Sequence, residues 1–186
     1  MKKFFASFVM ATIFLISSTA FAAFTQTVVE DADFSSVKTL AVALPMHYKV
    51  EPTEPTTLEL ADIVSNASRE SDLIVISYDD MIENIWRDSR VDIKALENEE
   101  ARKIFMNNVA NYADAYIMVT SANNNDRMQI FFEVRDAKSS DLLYVYTVQN
   151  RHFKKDLRGY SRASEEFYKQ FNSVVEKFVK KAKKQK

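Results

Sequence analysis

Three short apolar runs, separated by segments with helical periodicity, constrain the fold of this chain more than any other feature. The runs are VKTLAVAL at 37–44, LIVISY at 73–78 and AYIMVT at 115–120. Their length and their β-branched residues favour strands buried on both faces. The sequence therefore predicts a sheet whose first strands are connected through helices.

The segments between these runs have the apolar spacing of amphipathic helices. A helix ending near Ser71 is predicted from Leu58, Leu60, Ile63, Val64 and Ala67. A second begins after Ser77, where Ser77 and Asp80 match the start of a capping box, and its predicted apolar face is Met81, Ile82, Ile85 and Trp86. A third begins near Glu97, with the stripe Ala101, Ile104, Phe105, Val109 and Tyr112. The stretch 91–96 is ambiguous.

The last third of the chain predicts two more strands and a long helix. Residues 127–134 alternate between two faces, 136–141 form a turn, and LLYVYTV at 142–148 returns. A helix over 164–184 follows, with Phe167, Phe171, Val174, Val175 and Phe178 as its buried stripe. The predicted class is α/β (mixed α+β): a single-layer mixed sheet of about five strands in the order βαβααβββα, with helices packed on it.

The amino terminus has the pattern of a cleavable secretory signal. Lys2 and Lys3 precede a nearly uninterrupted apolar run over 4–16, and Ala20-Phe21-Ala22 matches the small-x-small cleavage site. The apolar run is shorter than the roughly 20 residues of a spanning helix. We expect a signal peptide at 1–22, an extended lead-in at 23–36 and one domain at 37–186. The expected product is exported and soluble after cleavage, in the periplasm, cell envelope or extracellular space.

Composition excludes several kinds of site. The chain has no cysteine, which excludes disulfides and thiolate metal sites. Gly159 is its only glycine, so glycine-rich phosphate loops cannot form. No cofactor is expected.

Charge is distributed unevenly along the chain. Residues 23–150 carry 11 Lys and Arg against 22 Asp and Glu, whereas 151–186 carry 12 against 4. The basic carboxy-terminal helix suits contact with acidic surface of the chain itself, with a partner or with an anionic surface such as lipid. The residues predicted for that contact are Lys177, Lys180, Lys181, Lys183 and Lys184. Lysines at one helix end do not indicate nucleic-acid binding in an exported chain of slightly acidic net charge.

No set of residues has the spacing of a catalytic or metal site. His47 and His152 have no metal-ligand spacing around them and are expected on the surface. The acids at 79–80 and 97–100 are explained by the preference of carboxylates for helix starts. The run NNND at 123–126 predicts a hairpin turn in preference to a calcium loop. Tyr144, Tyr146 and Phe131 are expected in the core, with an exposed stacking patch as the alternative. The sequence therefore predicts a protein that is not an enzyme.

Three segments resemble a group of bacterial envelope proteins. They are VKTLAVALP at 37–45, YADAYI at 112–117 and FEVRDAKSSDLL at 132–143. The chain resembles the curli-secretion lipoprotein, the lipoprotein activator of penicillin-binding proteins and the amino-terminal domain of the TolB translocation protein. The resemblance implies a non-catalytic α/β domain that docks onto an envelope partner. No cysteine follows Ala22, so attachment through a lipidated cysteine is not expected.

Two functions follow as hypotheses. The first is an exported, non-catalytic interaction or assembly module that binds an unidentified envelope protein. The alternative is a periplasmic carrier of a small ligand or lipid, with an apolar pocket between the sheet and the helices. Hydrolysis of a wall polymer is a third hypothesis, and only the predicted compartment supports it.

Overall fold

A computed structural model describes residues 23–124, 127–150 and 154–184 of the chain. The predicted signal peptide at 1–22 lies outside the described residues. The strands within these ranges are β1 Ala23–Val28, β2 Thr39–Val42, β3 Met46–His47, β4 Ile74–Ile76, β5 Ala115–Ser121, β6 Met128–Asp136 and β7 Leu142–Asn150. The α-helices are α1 Thr57–Asn66, α2 Tyr78–Ser89, α3 Asn98–Asn108 and α4 Leu157–Lys184.

The strands described form one mixed sheet in the order β1-β7-β6-β5-β2-β4, with the short β3 pairing with the end of β5. Strand β2 lies parallel to both β4 and β5. Strands β5, β6 and β7 form an antiparallel meander, and β1 pairs antiparallel with β7 at the edge of the sheet. The predicted mixed α/β class and the meander are confirmed.

Helices α1 and α4 cover one face of the sheet with an aromatic core. Phe167 of α4 is fully buried, and its ring is parallel to that of Phe132 on β6 with 4.7 Å between centroids. Tyr144 and Tyr146 of β7 are buried beside it. The predicted placement of both tyrosines in the core is confirmed, whereas Phe131 is half-buried and belongs to the alternating set of β6 residues that points to the other face.

Helices α2 and α3 cover the opposite face at the parallel strands. Ala41 of β2 and Tyr116 of β5 are fully buried there, against Met81 and Ile85 of α2 and Phe105 of α3. The small side chain of Ala41 on β2 lets these helices approach the sheet closely. The connection from β2 to β4 through α1 thus runs on one face of the sheet, and the connection from β4 to β5 through α2 and α3 runs on the other.

Helix starts follow local capping rules. Thr56 and Glu59 form a full capping box on α1, in which the Glu59 backbone N–H donates to Thr56 Oγ1 and the Thr56 N–H donates to the Glu59 carboxylate. On α2, Ser77 Oγ accepts from the Asp80 backbone N–H at 3.0 Å, as its sequence predicts. The acids at 79–80 and 99–100 lie in the first turns of α2 and α3.

Four elements differ from the sequence prediction. The sheet described has seven strands instead of about five, because β1 and β3 join it. Residues 23–28 of the expected lead-in form β1. Helix α4 begins at Leu157, seven residues before the predicted start. The ambiguous stretch contains a 3-10 turn over Ile93–Ala95. Within the described residues, no helix has the length and apolar character needed to cross a membrane.

Candidate partner-binding surface

The carboxyl edge of the parallel strands is where the fold forms a cleft. Strand β4 continues directly into α2 on one face, and the chain leaving β2 enters α1 on the other face. In open α/β sheets, crevices form where neighbouring strands connect to opposite faces. The first turns of α1, α2 and α3 meet at this cleft.

The cleft has a volume of about 290 Å³ and a largely apolar wall. Its apolar lining is Leu44, Leu58, Ala61, Ile93, Leu96 and Ala101. Its polar lining is Thr57, Asp62, Tyr78, Asp79, Lys94 and Asn98. The volume is close to the lower limit of typical small-molecule pockets, about 300 Å³.

A larger acidic groove of about 600 Å³ runs along α2 and shares Asp79, Ile93 and Lys94 with the cleft. We call it the α2 groove, lined by Asp79, Asp80, Ile82, Glu83, Trp86, Asp92, Ile93 and Lys94. Four of these side chains carry carboxylates and only Lys94 is basic. The α2 groove is therefore a concave surface of negative charge with an aromatic side chain in its wall.

Trp86 is the large apolar side chain of this groove, and it is 47% exposed. The prediction that it belongs to the buried face of α2 is wrong, although Met81, Ile82 and Ile85 of that face are buried. The Arg90 guanidinium carbon lies 5.0 Å from the centroid of the Trp86 ring. Arg90 ends α2 with a φ of 62°, and its backbone N–H donates to the Trp86 carbonyl at 2.8 Å. This cap keeps the cation over the indole.

Carboxylates dominate the electrostatics between the cleft and the groove. Lys94 Nζ lies 3.1 Å from Asp79 Oδ1, and both side chains are more than half exposed. Desolvation raises the pKa of the Asp62 carboxyl, and the neighbouring Asp79 carboxylate raises it further, while Lys94 opposes the rise. An added cation at this edge would meet an excess of negative charge.

The sequence pattern contained a signal for the exposure of Trp86. Its neighbours on the helix surface at positions i−3 and i+4 are Glu83 and Arg90. A tryptophan with charged neighbours at these spacings lies at the border of a buried stripe. The groove wall from Asp92 to Lys94 had no such signal, because it is a 3-10 turn within the ambiguous stretch.

His47 is buried, which overturns the prediction that it lies on the surface. Its Nε2 lies 2.8 Å from the Pro55 carbonyl oxygen and 3.8 Å from Glu54 Oε2. The His47 and Glu54 side chains are 1% and 0% exposed. Because a carbonyl oxygen can only accept, Nε2 carries the proton. The other buried polar atoms of the pair, His47 Nδ1 and Glu54 Oε1, have no hydrogen-bond partner among the described residues.

The pair lies in a polar cluster that connects the 47–55 loop to the start of α4. The His47 ring packs edge-on against Tyr160, whose hydroxyl lies 3.1 Å from Ser121 Oγ and accepts from Asn123 Nδ2 at 2.5 Å. The mostly buried Lys155 ammonium donates to Glu51 Oε1 at 2.5 Å. These contacts fix the loop, the β5 end and α4 relative to one another, and we assign the cluster a structural role.

The basic end of α4 is open to solvent. Lys177, Lys180, Lys181 and Lys184 are exposed, and the Lys183 side chain lies outside the described residues. Lys180 pairs with Glu176 of the same helix at 2.6 Å. Within the described residues, Lys177, Lys181 and Lys184 form no ion pair with acidic surface of the chain. Contact of these three lysines with acidic surface of the chain itself, one of the three expected contacts, is therefore not observed within the described residues.

Two other predicted features lie partly or wholly outside the described residues. His152 lies in the undescribed stretch 151–153. In the NNND run, residues 125 and 126 are not described, but Asn124 and Arg127 form an antiparallel bridge, so a hairpin joins β5 and β6. Among the described residues, no group of three or more His, Cys, Asp or Glu side chains has the arrangement of a metal site.

Comparisons with known proteins found similarity of structure only. No protein-family model matches the chain. No curated protein matches its sequence.

Among solved structures, the PelC dodecamer from Paraburkholderia phytofirmans matches with a TM-score of 0.46 and 11% identity over 80% of this chain and 96% of that chain. Lipoprotein GNA1162 from Neisseria meningitidis matches with a TM-score of 0.37 and 16% identity over 62% of this chain and 81% of that one. The LpoB C-terminal domain from Salmonella enterica matches with a TM-score of 0.46 and 10% identity over 65% of this chain and 88% of that one. No site residue, partner or function is transferred from these structures to this chain.

Proposed function

We propose that this protein is an exported, non-catalytic envelope module that binds a basic segment of a partner protein in the α2 groove. One observation carries the proposal: Trp86 is 47% exposed in a groove that carries four carboxylates and one lysine. Tryptophan and arginine are the residues most often found at the centre of binding energy in protein interfaces. The proposed compartment rests on the signal pattern at 1–22.

The chemistry of the groove specifies the proposed ligand. Lysine or arginine side chains of a partner would pair with Asp80 and Asp92, while an apolar side chain would pack on the Trp86 indole. Glu83 already pairs with Arg87 of the same helix at 3.0 Å, and a partner cation would exchange with this exposed pair. Lys94 does not block this, because an exposed ion pair such as Lys94–Asp79 contributes at most about 1 kcal/mol and is easily exchanged. A groove of one charge sign also accelerates the approach of an oppositely charged segment, and salt weakens this effect.

Crosslinking and affinity purification from cell envelopes test the proposal. We expect the wild-type chain to recover a partner, Trp86→Ala to lose most of it, and Asp80→Lys combined with Glu83→Lys to abolish recovery. Tyr48→Ala is the matched control, because Tyr48 is an exposed aromatic residue, at 84%, that does not line the groove. Recovery that is equal for Trp86→Ala and Tyr48→Ala, or absent for the wild type, would refute the assignment.

The basic end of α4 is proposed as a second, peripheral contact with an anionic surface. Lys177, Lys181 and Lys184 are exposed, and in the described structure no acidic group of the chain neutralises them. Sedimentation with phosphatidylglycerol vesicles tests lipid as that surface. Replacing Lys177, Lys180, Lys181 and Lys184 with Gln should remove vesicle binding, whereas replacing the exposed Lys38, Lys49, Lys103 and Lys138 should leave it. Equal binding by both variants would exclude this contact.

The cleft between the helix starts supports the alternative carrier function. Its 290 Å³ volume and apolar wall would suit a small, largely apolar ligand. Native mass spectrometry of freshly purified protein tests it: a bound mass that Ala61→Phe removes would favour a carrier. A mass equal to that of the chain alone would exclude a tightly held ligand.

A further inference from the structure

The end of α4 and the α2 groove carry opposite charges. The sequence KFVKKAKK at 177–184, which we call the α4 tail, contains five lysines and no acidic residue. The α2 groove has four carboxylates and one lysine in its wall. Two surfaces of opposite charge on one chain attract each other, either within a molecule or between two molecules. The fold determines which of these two contacts can form.

The two surfaces lie on opposite faces of the sheet in one molecule. Helix α4 packs on the face that it shares with α1, whereas α2 packs on the other face. The end of α4 passes beside Asp72 and Leu73, which precede β4, but Asp79 and Asp80 of the groove follow β4. The sheet therefore separates the α4 tail from the groove of the same molecule. A contact between them needs a second molecule.

Packing against the core holds the α4 tail in place and directs its lysines outward. The Phe178 ring packs edge-on against Phe34, with 5.0 Å between the ring centroids. Lys177, Lys181 and Lys184 follow one another at i, i+4 and i+7, which places them on one face of the helix. All three are exposed, and none forms an ion pair among the described residues. The α4 tail thus presents a row of free ammonium groups on a fixed helix.

The carboxylates of the groove form a row with a similar spacing on α2. Asp80 and Glu83 are three residues apart on one helix face, and Trp86 follows three residues later. A helical turn rises about 5.4 Å, so the acidic row on α2 and the basic row on α4 both repeat about once per turn. The exposed pair between Glu83 and Arg87 can be exchanged for a partner lysine. The two rows are therefore complementary in charge and in spacing.

We propose that the α4 tail of one copy of this chain binds in the α2 groove of a second copy. This pairing rests on the proposed function of the α2 groove and identifies the basic segment that the groove binds. Lys177 and Lys181 of one copy would pair with Asp80 and Glu83 of the other. The aliphatic stem of a lysine would lie along the exposed Trp86 indole. A second copy fits because every molecule supplies both the acidic groove and the free basic row.

Charge reversal on each side tests the pairing with purified protein. The groove variant is Asp80→Lys with Glu83→Lys, and the tail variant is Lys177→Glu with Lys181→Glu. Each full-length chain is expressed, purified from the envelope fraction and analysed by sedimentation velocity at about 0.1 M salt. Each variant alone opposes like charges, so we expect it to self-associate at least about tenfold more weakly than the wild type. An equimolar mixture of the two should recover association, because each groove then meets a tail of opposite charge.

Two further chains serve as controls for folding and for net charge. Lys38→Glu with Lys103→Glu reverses two exposed lysines outside the α4 tail and should associate like the wild type. A chain that carries both the groove and the tail reversals keeps the complementarity with exchanged signs and should associate as well. Circular dichroism and thermal unfolding show whether each chain is folded. A wild type that remains monomeric at millimolar concentration, or a mixture that associates no better than its two components, would overturn the pairing.

Failure of this pairing and failure of the groove assignment give different results. Sedimentation uses the purified chain alone, whereas recovery from cell envelopes detects other proteins. If the tail variant self-associates like the wild type and still recovers an envelope protein through Trp86, the groove binds that protein and the pairing is wrong. If the tail variant loses self-association, and the wild type recovers only further copies of the chain, the second copy is the partner of the groove.

Discussion

The only glycine of the chain marks a close approach between the start of α4 and the segment before it. A Cβ atom built on Gly159 would lie 2.0 Å from the Lys154 carbonyl oxygen and 3.2 Å from its carbonyl carbon. Neither atom belongs to a flexible side chain that rotates away. We therefore predict that Gly159→Ala destabilises the protein, although the same change in an ordinary helix is stabilising.

The change in the free energy of unfolding is the sum of two opposing contributions. Alanine in place of glycine within a helix gains about 1 kcal/mol from propensity. Overpacking that forces the backbone to move costs about 1–3 kcal/mol, and more where the surroundings are fixed. The surroundings are fixed here, because Lys155 pairs with Glu51 and Tyr160 is fully buried. Because a 2.0 Å approach is far inside van der Waals contact, we place the overpacking cost at about 2–4 kcal/mol, which leaves a net loss of about 1–3 kcal/mol.

Urea and thermal unfolding measure this difference. For a domain of this size, 1 kcal/mol shifts Tm by about 2–4 °C, so the expected fall is roughly 2–12 °C. The control is Ser173→Ala, an exposed position in the same helix, which should change stability by no more than about 0.5 kcal/mol. A Gly159→Ala variant as stable as the wild type, or more stable, would refute the inference that position 159 has no room for a side chain beside the Lys154 carbonyl group.

Two further predictions concern the core and the β6–β7 hairpin. Phe167→Ala should lower the free energy of unfolding by about 3–5 kcal/mol in urea titration, because the ring is fully buried and stacks on Phe132. The Ser139 and then the Lys138 backbone N–H groups hold the pKa of Asp136 below its usual value. The wild type should therefore be more stable than Asp136→Asn at neutral pH, and this advantage should disappear as pH falls through the lowered pKa; a constant difference from pH 7 to pH 2 would contradict it.

The parallel part of the sheet was predictable because its signal is local. Continuous apolar runs such as 115–120 are buried on both faces wherever helices cover the sheet. The antiparallel meander was predictable for the same reason, since its strands are joined by short turns. Strand β1 had no local signal. Its partner β7 lies more than a hundred residues away in sequence, and a polar TQT core does not distinguish an edge strand from a loop.

The burial of His47 and the early start of α4 depend on contacts between distant segments. A histidine between Met46 and Tyr48, in a stretch rich in proline and threonine, has the pattern of a surface loop. It is buried because Glu54 folds back on it and Tyr160 packs against its ring. The first turns of α4 include Gly159 and Ser161, which lower helix propensity, so tertiary packing overrides the local preference there.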